Sequence, residues 1–275
     1  MPTCKVHAIL NQKGGTGKTT TAINLGAALG LMGKKVLLID ADPQGNLTTA
    51  LGWKRPDELD VTLGTHMAKI LEDDPYPPTN GILRHKEGFD IMPANIELSG
   101  MELGLVNAMS REHVMRLWLT QVKESYDHVI IDCNSYLGML TINALAAANS
   151  VIIPVQAHYL PANGMTQLIK TVSRVKRQIN PGLQIDGVLL TLYDGRTNLA
   201  KQVERDIRRD FGGRLKVFDA VVPLAVSAAE ASAYGKSIFS YDEDGKAATA
   251  YQALAKEVTK VGTRKRAAHE PALAR

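Results

Sequence analysis

Seven residues constrain this chain more than any others: Lys13-Gly14-Gly15-Thr16-Gly17-Lys18-Thr19. Ahead of them, Cys4 to Leu10 is short and mostly apolar, which predicts a strand. Behind them, Thr20 to Leu31 carries alanine and leucine at the spacing of a buried helix. Strand, glycine loop and helix start, in that order, are the setting of a phosphate-binding loop. Glycines at 14, 15 and 17 lack a Cβ, so backbone N–H groups can converge on one point, and the helix start adds unpaired N–H groups and a positive dipole end. The predicted cradle is Gly14, Gly15, Thr16, Gly17, Lys18, Thr19 and Thr20, with Lys18 as the charge at the β/γ-phosphates and Thr19 Oγ as a Mg²⁺ ligand. A glycine-rich turn that binds nothing is the bland alternative, and Gly-Lys-Thr at a strand-to-helix junction speaks against it.

The rest of the chain alternates apolar runs with helical patterns, predicting an α/β fold with a mostly parallel central sheet flanked by helices on both faces. Val36 to Asp40 is a continuous apolar run ending in Asp40-Ala41-Asp42-Pro43-Gln44-Gly45-Asn46, so carboxylates stand at the carboxyl end of a strand, where such sheets carry chemistry. Tyr126 to Asp132 is another apolar run ending in a carboxylate, and Asp132 is placed to hold Mg²⁺ opposite Thr19. Further strands are expected at 89–93, 151–156 and 184–193, and helices at 65–71, 97–105, 111–125, 163–178, 198–211 and 246–261. Trp118 and Met115 are expected in the core and His128 in a structural role. Residues 53–87, broken by Pro56, Pro75, Pro77 and Pro78, read as an irregular surface insertion. The expected division is one domain over 1–262 and a basic, disordered tail over 263–275.

Lys-Gly-Gly-Thr-Gly-Lys-Thr departs from the ordinary G-x-x-x-x-G-K-[ST] loop: Asn11 or Gln12 stands at the first glycine position and Lys13 precedes the glycines. In this it resembles the deviant Walker A loop of the ParA/MinD ATPases, and Asp-x-Asp-Pro-Gln-Gly-Asn resembles that family's second motif. The resemblance to ParA/Soj-type partition ATPases runs through 9–52, 129–156 and 187–260. It implies that Lys13 reaches a partner subunit's nucleotide in an ATP-bound homodimer, that Asp40 positions the attacking water and shares the metal, and that Pro223 lies against the adenine. It further implies ATP hydrolysis with Mg²⁺, slow until a ParB-like partner stimulates it, and nonspecific DNA binding by the dimer. A cytoplasmic, nucleoid-associated protein of the short Soj-like class follows. Asn134-Ser135-Tyr136 departs from the family, which has a proline pair after the aspartate.

For DNA, the candidates are Arg196, Arg205, Arg208, Arg209, Lys170 and Arg174, basic residues able to neutralise phosphates without reading sequence. The family's arginines after Val222-Pro223 are replaced by Leu224-Ala225-Val226, which keeps open a positioning ATPase for a protein cargo with weak or no DNA binding. A net charge of +4 and a pI near 8.9 are compatible with either. Cys4 and Cys133, both in expected strands, argue against the loop cysteines of an iron–sulfur reductase. No apolar run reaches the roughly 18 residues of a membrane span, no leader is apparent, and the proline-interrupted Ala267 to Leu273 does not suit an amphipathic membrane anchor.

Overall fold

Strands whose residues are apolar throughout must be covered on both faces, and the sheet of this protein is built that way. The computed structural model describes residues 4–157 and 162–267. The elements are β1 (Lys5–Ile9), α1 (Lys18–Leu31), β2 (Val36–Ala41), α2 (Asn46–Ala50), α3 (Leu63–Leu71), β3 (Leu83–Arg84), β4 (Asp90–Met92), α4 (Glu97–Val106), α5 (Val114–Val122) and β5 (His128–Cys133). They continue as α6 (Met139–Ala147), β6 (Ser150–Gln156), α7 (Ala162–Gln178), β7 (Gln184–Tyr193), α8 (Asn198–Phe211), β8 (Val217–Pro223), α9 (Val226–Ala233), α10 (Ile238–Tyr241) and α11 (Lys246–Ala267). The strand order is β3-β4-β2-β5-β1-β6-β7-β8, parallel except for the antiparallel edge pair β3–β4.

Because successive side chains of a strand point to opposite faces, each buried strand feeds two cores. Leu37 and Ile39 pack with α3 to α8, in a core that includes Met67, Trp118, Leu145, Leu168 and Val203. Val36 and Leu38 pack on the other face with α1, α2, α10 and α11, beside Ile23, Leu47 and Tyr251. Trp118 and Met115 are both buried, as their helical spacing predicts.

Three features differ from the sequence reading. Residues 53–87 are not a surface appendage: Leu63 and Met67 of α3 are fully buried in the main core, and β3 extends the sheet. Trp118 Nε1 donates to the Pro78 carbonyl at 2.9 Å and a His66 nitrogen lies 2.7 Å from the Asn80 carbonyl, fastening the proline-rich loop to α5 and α3. At the other edge, Val217–Pro223 forms β8, a strand the pattern did not announce. Last, α11 continues to Ala267, past the boundary expected at 262; residues 268–275, which hold most of the expected tail, lie outside the described residues.

His128 is indeed internal. It stacks on His7, whose Nδ1 lies 2.9 Å from Ser150 Oγ and 3.3 Å from Asp186 Oδ2. Burial, then the neighbouring His7, pushes the His128 imidazole down to about 3, so the ring stays neutral.

Parallel pairing puts the carboxyl ends of all the central strands on one edge. With β5 between β1 and β2, Asp132 is the register partner of both Ile9 and Asp40. The loops after β1, β2 and β5 therefore meet at one place.

Candidate nucleotide-binding site

The loop after β1 enters α1 through Gly15 at φ 71° and Gly17 at φ 79°, a left-handed pair that a side chain would strain. No side chain caps α1, so the first N–H groups of the helix have no side-chain acceptor. A Cβ added at Gly14 or Gly15 would meet nothing within 4 Å, which leaves open space above the loop. The walls are fixed from two strands, β6 and β7. Asn11 Nδ2 donates to the Pro154 carbonyl at 2.6 Å while its Oδ1 accepts the Lys13 N–H at 3.0 Å. Thr191 of β7 donates to the Thr16 carbonyl at 2.8 Å.

Into this space come the polar groups expected for a metal–triphosphate. Lys18 is buried, and its Nζ donates to Ser135 Oγ at 2.7 Å. Burial lowers its pKa, against the pull of Asp132, Cys133 and Asp42. Thr19 Oγ1 donates to Asp132 Oδ2 at 2.7 Å, and Asp132 Oδ1 is buried with no hydrogen-bond partner. Burial first, and the carboxyl of Asp40 second, hold Asp132 well above the ordinary aspartate range. A buried carboxylate with an orphan oxygen, facing a threonine hydroxyl at a phosphate loop, is the donor set a hydrated Mg²⁺ takes. Lys13 stands exposed on the outer rim. Thr20 lies in the first turn of α1, its carbonyl accepting from Asn24 Nδ2 at 2.8 Å. Pro223 ends β8 on the same edge, three strands from β1 or about 14 Å at the usual strand spacing.

Asp40 does not fit the role assigned to it. It is fully buried, its Oδ2 accepts both the N–H and the hydroxyl of Thr48 at 2.9 and 2.7 Å, and its Oδ1 accepts the Asp42 N–H at 3.2 Å. Walled in this way, it can neither orient a water nor reach the metal. Its work is to shape the turn, with Thr48 in turn accepting the Ala94 N–H at 3.2 Å. Asp42, two residues on and partly exposed, is the carboxylate of this loop that faces outward. The sequence shows two aspartates; only Thr48, eight positions away in the chain, decides which of them is enclosed.

Burial pushes the Asp40 carboxyl up to about 7, although the hydrogen bonds from Thr48 and from the Asp42 N–H favour its ionised form. A carboxyl raised on folding contributes stability that is complete below its unfolded pKa near 4 and is lost as pH rises through 7. At 1.36 kcal/mol per pKa unit the loss is roughly 4 kcal/mol. Asp40→Asn, without nucleotide or magnesium, should therefore gain melting temperature relative to wild type between pH 5 and pH 8, by roughly 5 °C. Parallel melting curves across that range would refute the assignment.

The basic candidates separate into two groups. Arg196 is bound in bidentate fashion to Asp194, at 2.9 Å through both Nε and Nη2. Arg208 pairs with Glu204, and Arg209 with Asp206 and Asp210, while Arg205 bonds Gln202. The α8 surface is thus largely self-neutralised. By contrast α7 contains no acidic residue, and Lys170, Arg174 and Arg177 are all exposed at i, i+4 and i+7, one face of the helix. Among the described residues none of the three has an acidic partner within 4 Å.

Known proteins resemble this chain in sequence and in fold. An AAA domain family model matches residues 4–185. The sporulation initiation inhibitor protein Soj of Bacillus subtilis is 46% identical over 94% of this chain and 99% of its own length. The chain belongs to the Soj/ParA family of partition ATPases. Another relative, the chromosome partitioning protein ParA of Caulobacter vibrioides, is 43% identical over 92% of this chain and 93% of that one. Among solved structures, a protein named cobyrinic acid a,c-diamide synthase from Mycobacterium smegmatis, with bound ADP and magnesium, superposes with a TM-score of 0.79 at 37% identity, over 92% of this chain and 93% of its own. The septum site-determining protein MinD of Pyrococcus horikoshii, complexed with Mg-ADP, matches with a TM-score of 0.72 at 26% identity, covering 94% and 97%. As a Soj/ParA protein the chain has the P-loop fold its opening motif predicts. Sequence reasoning missed Thr48, Thr191 and Glu102; the carboxylate of Glu102 accepts the Met139 and Leu140 N–H groups at the start of α6. These three act across distance in the chain, and no local motif marks them.

Proposed function

We propose that this Soj/ParA protein binds ATP and Mg²⁺, dimerises on the bound nucleotide, and hydrolyses it while the dimer holds DNA nonspecifically. The observation that carries the proposal is the Lys18–Thr19–Asp132 constellation, with one carboxylate oxygen of Asp132 left for a metal-bound water. Loop amides 14–19 and Lys18 hold the phosphates, and Thr19 with Asp132 would hold Mg²⁺. When bound, the metal neutralises charge on the β- and γ-phosphates. Asp42 orients the attacking water in place of Asp40. Lys13, exposed at the rim and fixed through its backbone by Asn11, would lend its charge to a second subunit's phosphates, and its exposure supports that reading. Pro223 borders the base. A ParB-like protein raises a slow basal turnover, and DNA attachment places the protein in the cytoplasm on the nucleoid. Among the described residues no helix is long and apolar enough to cross a membrane.

For the DNA face, α7 is favoured over α8. Its Lys170–Arg174–Arg177 row spans about 10 Å with no carboxylates to displace, whereas Arg196, Arg205, Arg208 and Arg209 hold partners of their own.

Sizing with and without Mg-ATP, followed by gel shifts on nonspecific duplex at graded salt, tests the whole reading. ATP should convert monomer to dimer and produce a shift. Combining Lys170→Glu, Arg174→Glu and Arg177→Glu should weaken binding at least tenfold and flatten the slope of log K against log salt by about 3. Arg205→Glu with Arg209→Glu should do less. A dimer that never shifts DNA at low salt would favour the protein-cargo reading, which the loss of arginines after Pro223 also supports.

A further inference from the structure

The loop after β5 is where this chain parts from its family, and it is tightly built. Asn134 Oδ1 accepts the Tyr136 N–H at 3.1 Å and lies 3.0 Å from Thr141 Oγ1, which donates to the Tyr136 carbonyl at 2.6 Å. On the far side, Glu102 of α4 caps the first amides of α6, and a Cβ on Gly138 would collide with that carboxylate. Fastened at both ends, the loop presents Ser135 to the P-loop, where Oγ accepts from Lys18 Nζ at 2.7 Å. Ser135 is partly exposed, so a ligand can reach it.

Position decides which phosphate it would meet. The amides of 14–19 belong to the β1–α1 junction and cradle the inner phosphates. A third phosphate reaching past Lys18 would meet the loops of β5 and β2, since Ser135 accepts from Lys18 and Asp132 and Asp42 act on its charge. There the serine hydroxyl can accept from Lys18 and donate its own proton to a phosphate oxygen. Proline, the residue the family pattern has here, offers neither an N–H nor an O–H.

Resting on the nucleotide-binding reading above, we infer that Ser135 Oγ is a γ-phosphate ligand of this chain, a donor next to Lys18 that sets its preference for a triphosphate over a diphosphate. A hydrogen bond to a charged oxygen in a preorganised loop corresponds to about a tenfold change in affinity.

The test is equilibrium binding of a non-hydrolysable ATP analogue and of ADP, each with magnesium. It is run on the full chain carrying Lys13→Gln, so that subunit association adds nothing to affinity. Ser135→Ala should weaken the analogue about tenfold and leave ADP within about twofold. Ser135→Thr, which keeps the hydroxyl, should hold the analogue within about threefold. Equal changes for both nucleotides, in either direction, would mean that Ser135 acts only through Lys18 and would overturn the inference, as would an unaltered ratio in Ser135→Ala or a threonine variant that behaves like alanine. If the Ser135 parent binds neither nucleotide, the nucleotide-binding reading itself fails. If it binds both with a ratio indifferent to residue 135, this inference fails alone.

Discussion

Lys18→Ala should lose ATP binding by about 10³-fold and hydrolysis with it, while the ligand-free protein melts no lower than wild type. Two opposing terms give that pair of outcomes. A unit charge about 4 Å from phosphate charge at an effective dielectric near 20 is worth about 4 kcal/mol, close to three decades of affinity. Removing a charge-stabilising donor at the reacting phosphate commonly costs a further 10²–10³ in turnover. Yet the ammonium is buried, and burial depresses its pKa, so without phosphates its desolvation is unfavourable. Alanine removes that cost at the expense of one hydrogen bond to Ser135 and of the attraction of Asp132 and Asp42, which burial outweighs. Calorimetric titration with ATP and a thermal melt check both halves; a variant that binds ATP normally, or that melts well below wild type, contradicts this account of Lys18.

The second large effect is at Lys13. Lys13→Gln should leave nucleotide affinity of the monomer within a few-fold, abolish the ATP-dependent dimer, and reduce turnover by about 10² or more. The contrast with Lys18 comes from placement. Lys18 lies at the start of α1 inside the site, and Lys13 lies outside the glycines on the exposed rim, its backbone tied by Asn11 to β6. On the proposed reading its charge serves a second copy of the chain rather than its own phosphates. Light scattering with and without Mg-ATP, together with a monomer binding curve, separates the possibilities. A Lys13→Gln protein that still dimerises, or one whose monomer affinity collapses, would remove the proposed exchange of lysines.

Much of the fold was legible because its signals are local. Apolar runs ending in Asp40 and Asp132 announced buried parallel strands, and Lys18-Thr19 behind three glycines announced the loop. What stayed hidden was decided by partners outside the motifs, from eight to 175 positions away in the chain. Composition cannot tell Asp40 from Asp42, because Thr48 encloses one of them. Prolines at 75, 77 and 78 suggested a loose excursion, but Leu63 and Met67 anchor it and Trp118 holds its end. The richest basic stretch, in α8, carried acids at positions 204, 206 and 210 that cancel much of its charge, whereas the sparser α7 carries none. A census of arginines weighs density; the available field depends on what each is paired with.

The hydroxyl of Thr191 closes on the carbonyl of Thr16 across 175 positions. Moreover, β1 lies between two strands made more than a hundred residues after it. During synthesis the glycine loop is thus made 175 positions before the threonine that closes on it. At 5–20 residues per second that interval is about 10–35 s. Throughout it the nascent chain has the motif without the wall that Thr191 supplies.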